Sequence, residues 1–291
     1  MKLALGTVQF GLNYGVTNSF GQVPKSEVKD ILDYARHQGI SMLDTAAAYG
    51  NSEEVLGQYD KLCNFAVVSK LPSLANSCEK IENIAKQSLH RLANHRLYAL
   101  LFHNADDLLN ERADEHYEKA LSLKEQGICQ KIGVSVYSPE QLLQICERFT
   151  IDIVQVPLNC FDQRFAQPNC RQIYNKYNIE VHTRSLFLQG TLLSDISDLP
   201  SSFTPFHAAF EKFHRVCDQL SCHPMTLALS LIQNFDFIDK AVLGVCSKLQ
   251  LEQVCHHYTK AQQLDNLTSE QLSELKFHDL ALINPANWPI K

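Results

Sequence analysis

What this chain lacks narrows its class first. No stretch approaches the roughly 18 consecutive apolar residues that a membrane-spanning helix needs. Met1-Lys2-Leu3 runs straight into strand-like sequence rather than into a signal peptide, so the protein is expected in the cytoplasm with no membrane partner. Cationic runs are absent: 26 basic against 32 acidic residues give a formal charge of -6, which offers nucleic acid no electrostatic footing. A small-molecule partner is the expectation. The 10 cysteines stand singly with no C-x-x-C pair, against a disulfide framework or a zinc ribbon, and are expected to be reduced thiols. The 12 histidines form no H-x-x-x-H pattern, and adjacent His256 and His257 diverge by ~100° on a helix, so no metal is expected.

What is present is a core and a rhythm. With 45% hydrophobic residues, 291 residues can bury a large interior. Short apolar runs of strand length alternate with stretches of helical period. The strands are expected at Leu3 to Thr7, Ser41 to Asp44, Ala66 to Lys70, Leu97 to His103, Lys131 to Ser135, Ile153 to Pro157, Glu180 to Arg184 and Lys240 to Val245. Between the first two, Val28, Ile31, Leu32 and Ala35 follow the i, i+3, i+4, i+7 rule of a helix that covers a sheet with one face. Ile81, Ile84, Ala85, Leu89 and Leu92 mark another such helix, and Pro139 starts a third. Gln9 to Gly15, after the first strand, is not the G-x-G-x-x-G turn of an open dinucleotide-binding sheet. Eight strand–helix units in a chain of this length predict a single-domain (β/α)8 barrel over residues 1–291, with a C-terminal helix and tail from about residue 260. The longest break in the rhythm, Gly190 to Pro205, is expected as a loop after the seventh strand, either a cover for a ligand or a plain insertion.

In such a barrel, chemistry gathers at the carboxyl ends of the strands. Strand two ends at Asp44, followed by Thr45-Ala46-Ala47-Ala48-Tyr49-Gly50; strand three ends at Lys70; strand four ends at His103. Ionisable residues closing successive apolar strands are costly unless they compensate one another, and Asp44 beside Lys70 would do so. Taken alone, Tyr49 reads as packing, Lys70 as a surface lysine, Asp44 as a helix cap and His103 as a satisfied strand-end histidine.

Together, Leu5-Gly6-Thr7, the Asp44 to Tyr49 loop running into Asn51-Ser52-Glu53, Ser69-Lys70 and His103 resemble the ordered tetrad of the aldo/keto reductase superfamily. Gln155-Val156-Pro157-Leu158-Asn159 resembles the family segment beneath the nicotinamide, and Gly244 to Gln253 resembles the adenosine-phosphate end. The resemblance runs from Leu5 to about Gln253. It implies a reductase of aldehydes or ketones, or an oxidant of the alcohols, with Tyr49 as proton donor. A phenol of pKa about 10 is too weak an acid near neutrality. A lysine beside it favours the phenolate, Asp44 keeps that lysine charged, and His103 places the substrate oxygen. For the cofactor, Ser135, Gln155 and Asn159 offer donors and acceptors at strand ends, with Gln155 and Asn159 facing the carboxamide by resemblance. Arg184, Ser185, Leu186 and Gly190 follow strand seven; Gly244, Ser247, Lys248, Gln250 and Gln253 surround the start of the last barrel helix, whose N-terminus attracts phosphate. Lys248 would answer a 2'-phosphate, so NADP(H) is expected ahead of NAD(H).

Departures from the family pattern bear on the cofactor. Arg184 stands where many members carry an aromatic ring stacked on the nicotinamide; it can stack as a plane or hold an anionic substrate. Val136 and Val254 replace asparagines that would add polar contacts. Tyr14, Phe20, the Gly190 to Pro205 segment and the tail through Trp288-Pro289 are the candidates for shaping the substrate site, and the tail is open between capping the site and packing elsewhere. By analogy with bacterial reductases of sugar and polysaccharide pathways, a sugar-like substrate fits. Two other classes remain: a nucleotide-binding regulatory subunit with little turnover, opposed by the filled tetrad, and an aldolase with Lys70 as Schiff base, opposed by Asp44 holding that lysine protonated.

Overall fold

The eight apolar runs form eight parallel strands that pair in sequence order until the last closes on the first. The computed structural model describes residues 1–75, 80–94 and 96–288. The strands are β1 (Leu3–Gly6), β2 (Met42–Asp44), β3 (Ala66–Leu71), β4 (Leu97–Phe102), β5 (Cys129–Ser135), β6 (Ile153–Pro157), β7 (Glu180–Arg184) and β8 (Lys240–Gly244). The fold is the single-domain (β/α)8 barrel that the alternation predicts. Ends shift by a residue or two: β5 starts at Cys129 rather than Lys131 because Cys129 pairs with Leu97, a partner that local pattern does not reveal.

The helices between and after the strands are α1 (Lys25–His37), α2 (Ser52–Gly57), α3 (Ile81–Arg91), α4 (Ala113–Glu125), α5 (Pro139–Arg148), α6 (Pro168–Tyr177), α7 (His207–Gln219), α8 (Pro224–Asn234) and α9 (Lys248–Ala261). Their apolar stripes lie on the barrel: Val28, Ile31, Leu32 and Ala35 of α1 and Ile81, Ile84 and Ala85 of α3 are buried. Pro139 opens α5 without losing a helical bond, and the Ser138 hydroxyl accepts from the Gln141 amide.

Alternation along the strands layers the barrel interior. Ala4, Met42, Val68, Leu101 and Ile153 pack as an apolar middle. Two residues further along the same strands come Gly6, Asp44, Lys70, His103 and Gln155, and the same period brings Ser135, Arg184 and Gly244 to that level. The expected site residues therefore share one layer because each lies two positions beyond an apolar interior residue or its equivalent.

Gly190 to Pro205 is not one open loop. It folds into short 3-10 turns, Leu188–Leu193, Ile196–Asp198 and Ser201–Phe206. The tail braces these turns from outside: α10 (Ser269–Leu275) opens with a capping box at Thr268, the Phe277 amide donates to the Phe161 carbonyl at 2.9 Å, and the Trp288 ring meets Phe203 edge-on at 4.9 Å. None of its described residues lines the cavity at the barrel mouth. Pro289 and Cys78 lie outside the described residues. Among the described residues, nine cysteines are free thiols and no helix is long and apolar enough to cross a membrane.

Candidate active site

Backbone contact aims Tyr49 inward. Gly50 takes φ +55, and a Cβ there would stand 2.3 Å from the Gly11 carbonyl oxygen; a Cβ on Gly11 would stand 1.9 Å from the Tyr49 carbonyl oxygen. The loop after β2 thus presses directly on the turn after β1. The buried Ser52 hydroxyl locks the contact, donating to the Thr7 carbonyl at 2.8 Å and lying 3.2 Å from the Thr45 hydroxyl.

The four residues of the expected tetrad meet. The Lys70 ammonium is wholly buried and uses all of its donor directions: Asp44 Oδ1 at 2.5 Å, the Thr45 carbonyl at 3.0 Å and the Tyr49 hydroxyl at 3.5 Å. The other Asp44 oxygen accepts from Gln155 Nε2 at 2.7 Å. The His103 ring stands edge-on to Tyr49, centroids 5.6 Å apart. Next to Lys70, Ser69 donates to Glu53 at 2.6 Å, and Glu53 also holds Arg91 at 2.7 Å, tying α2 and α3 to the strand that carries the lysine.

Burial and charge set the protonation states. Burial disfavours the Lys70 ammonium, but the Asp44 carboxylate and the Tyr49 phenol outweigh it and its pKa stands above the ordinary lysine value. A raised lysine pKa opposes the Schiff-base alternative. Burial lowers His103 to about 4, helped by the Lys70 charge, so the imidazole is neutral at neutral pH. Burial raises Tyr49 above the ordinary tyrosine value, and the pull of Lys70, in the expected direction, offsets that only in part. At rest Tyr49 is a protonated acid with a cation waiting beside it.

A cavity of about 730 Å³ opens over this layer, lined by Tyr49, His103, Gln155, Arg184 and Gly6 and running to Gln250, Gln253 and His257 on α9. Of the expected cofactor residues, Gln155, Arg184, Ser185, Leu186, Gly190, Gly244, Gln250 and Gln253 line it. Others do not face it. Asn159 is buried and spent on its own turn, Oδ1 accepting the Phe161 and Asp162 amides and Nδ2 donating to the Ser185 carbonyl. Gln155 lines the cavity but gives its amide N–H to Asp44. Ser135 closes β5 beneath the cavity wall, and Ser247 caps α9 by accepting from the Gln250 amide. The half-exposed Lys248 ammonium turns to Glu252 at 3.4 Å and to the face of Tyr34 at 5.8 Å, while its amide donates to the Glu27 carboxylate at 2.6 Å.

Sequence reasoning missed several walls. His223 and His257, 34 positions apart, stack with centroids 4.3 Å apart at the far end of the cavity, and no spacing rule pairs them. Gln9 lies against Gly244, its Oε1 buried without a hydrogen-bond partner among the described residues. Across the mouth, the Thr17 hydroxyl donates to the Gln189 carbonyl at 3.1 Å and Gln189 Nε2 to the Tyr14 hydroxyl at 3.3 Å, joining the loops after β1 and β7. Gly190 makes this fit: at φ +92, its Cβ would stand 2.1 Å from Thr17 Oγ1.

Comparison with known proteins agrees with this geometry. The sequence model of the Aldo/keto reductase family matches residues 2–279. An uncharacterised oxidoreductase of Bacillus subtilis is 23% identical over 279 residues, 87% of this chain and 88% of that protein. Another, from Schizosaccharomyces pombe, is 26% identical over 208 residues, 67% of this chain and 72% of that protein. Among solved structures, an aldo-keto reductase of Bacillus halodurans in its holo form superposes with a TM-score of 0.74 at 18% identity, covering 99% of this chain and 94% of that one. A glycerol dehydrogenase of Gluconobacter oxydans does so with a TM-score of 0.69 at 22% identity, covering 100% and 94%. With the family matched over nearly its whole length and the barrel and tetrad in place, this chain belongs to the aldo/keto reductase family of oxidoreductases.

Proposed function

We propose that the protein is an NADP(H)-dependent oxidoreductase that interconverts an aldehyde or ketone of sugar-like character and the corresponding alcohol. The observation that carries the reading is the Tyr49 hydroxyl, 3.5 Å from the Lys70 ammonium and facing the cavity beside a neutral His103. A bound nicotinamide supplies or accepts the hydride. The protein's side chains handle the proton. Tyr49 gives its proton to the carbonyl oxygen as negative charge grows there, and Lys70 stabilises the phenolate left behind in a site from which burial has removed water. Asp44 and the Thr45 carbonyl hold that ammonium so that one donor is left for the phenol. His103 offers one ring N–H to orient the same oxygen. In the alcohol direction the phenolate takes the proton back.

Several features support a dinucleotide. The orphaned Gln9 Oε1 is an acceptor left for a ligand's amide or hydroxyl. The cavity extends from Tyr49 to α9, long enough for more than a small carbonyl compound. Lys248 is the side chain for a 2'-phosphate: its pair with Glu252 is an exposed i,i+4 contact worth about 0.3–0.5 kcal/mol and opens readily. Glu27, on the Lys248 amide, is what such a phosphate displaces, and it makes NAD(H) the competitor.

The test is a fluorescence titration of purified protein with NADPH and NADH, followed by assay with aldehydes and ketones. NADPH is expected to bind more tightly. Tyr49→Phe should keep dinucleotide binding and lose turnover on the order of a hundredfold to ten-thousandfold. Wild-type turnover in Tyr49→Phe contradicts the reading.

A further inference from the structure

We propose that the carbonyl substrate carries an anionic group, a carboxylate or a phosphate monoester, and that Arg184 selects for it; this rests on the reductase reading above. Arg184 ends β7, which stands four strands from β3 in a closed ring of eight. Arg184 and Tyr49, the latter with Lys70 buried behind it, both line one cavity. A substrate with its carbonyl on Tyr49 extends toward Arg184.

The charge there is unspent. Lys70 is neutralised by Asp44 at 2.5 Å. Of the eight other arginines, six each hold a carboxylate among the described residues. Arg184, among the described residues, holds none: Nη2 donates to the Val136 carbonyl at 3.4 Å, and the guanidinium carbon lies 4.2 Å from the centre of the Tyr137 ring. Those two contacts fix the plane of the group while using one of its five donors. A partly buried cation is costly without a counter-charge, and a planar fork matches carboxylate and phosphate oxygens in pairs. It lines the cavity with Tyr49, His103 and Tyr14 and its charge acts on all three, which sets it at the reacting end. The anion it awaits is therefore on the substrate, and the diphosphate of a dinucleotide is the rival that an experiment must separate.

Wild type, Arg184→Met and Arg184→Lys are compared on two matched pairs, using whichever of NADPH and NADH binds more tightly. Succinic semialdehyde against butanal tests a carboxylate, and D-glyceraldehyde 3-phosphate against D-glyceraldehyde tests a phosphate. Wild type is expected to prefer the anionic member of at least one pair, and the pair that shows it names the anion. Arg184→Met should cut that preference roughly tenfold or more, the scale of one charge-assisted contact, mainly through KM. Turnover of the neutral member and the dinucleotide dissociation constant, read by fluorescence, should change by a clearly smaller factor than the anionic member's KM, and Arg184→Lys should recover part of the preference. No preference in wild type, or a preference that Arg184→Met leaves intact, overturns the inference. So does a loss of dinucleotide binding by the same factor, which would assign the arginine to the cofactor. A wild type that binds no dinucleotide and reduces no member of either pair overturns the reductase reading itself, and this inference with it.

Discussion

The barrel holds a charged cluster at each end, half-buried at the amino end and buried at the carboxyl end, and they differ in what they leave unused. At the amino end, Glu180 accepts from the Tyr98 hydroxyl at 2.7 Å, pairs with Lys131, and meets His182 Nε2 at 2.7 Å. Apart from His182 Nδ1, that cluster is closed on itself, and none of its four residues lines the cavity. At the carboxyl end, Asp44, Lys70 and Gln155 are as tightly bonded, but Tyr49, His103 and Arg184 face open space. Paired charge and a shifted pKa occur in both places, so neither marks function by itself. What marks it is polar capacity left over beside a cavity, at the end of the barrel where the βα loops can shape a site.

The comparison can be broken at either end. Lys131→Met, which opens the lower cluster and leaves Glu180 short of a cation, should cost about 1–2 kcal/mol in urea denaturation, between an exposed and a fully buried pair, while turnover at saturating substrate stays near wild type. A large loss of turnover in a folded Lys131→Met protein would erase the distinction. At the upper end, His103→Ala should lower turnover on the order of a hundredfold, the scale of removing one donor from a developing oxyanion, with little change in the denaturation midpoint.

Acid should separate the clusters. His103 titrates at about 4 in the fold against 6.5 when exposed, so the unfolded chain binds the proton first and stability falls as pH drops from 6.5 toward 4. His257, also lowered to about 4 by burial, adds to that slope. For Glu180, burial would raise the pKa, but bonds from His182, Lys131 and Tyr98 hold it at about 2 against 4.5, so its contribution is intact above 4.5 and lost between 4.5 and 2. In melts across this range, His103→Ala should flatten only the upper window and Glu180→Gln only the lower. The smallest effect belongs to the cofactor: Glu27→Gln should raise NADPH affinity relative to NADH by roughly two- to fivefold, the value of one charge at a helix N-terminus. An unchanged ratio would mean that no 2'-phosphate docks there.

The contrast also explains what could be read from the residues alone. Strand periodicity locates all eight strands, and reading Asp44 and Lys70 as the ends of neighbouring apolar strands sets the two side by side, whereas the bond from Gln155 to Asp44 is seen only in the structure. Asn159 fails as a cavity residue because an asparagine past a strand end serves a turn as readily as a ligand, and its amide is consumed locally. Lys248 pairs with Glu252 at the i,i+4 spacing that a helix makes legible in the sequence, whereas its contact with the distant Tyr34 ring leaves no linear trace. The His223–His257 stack and the Gln189–Tyr14 contact join positions distant in sequence, and side-chain pairings of that kind leave no periodic trace. Within the tetrad, Asp44 and Lys70 lie on strands and His103 directly follows one, whereas Tyr49 lies in the loop after β2 and is placed by the backbone contact of Gly50 with Gly11.

Lys70→Met is the most direct trial of the claim that a cation beside the phenol makes the upper cluster catalytic. Measured on protein with a native circular dichroism spectrum and a retained dinucleotide dissociation constant, its turnover should fall by on the order of a hundredfold or more. A folded, cofactor-binding Lys70→Met protein that turns over carbonyl substrate at the wild-type rate would contradict the account.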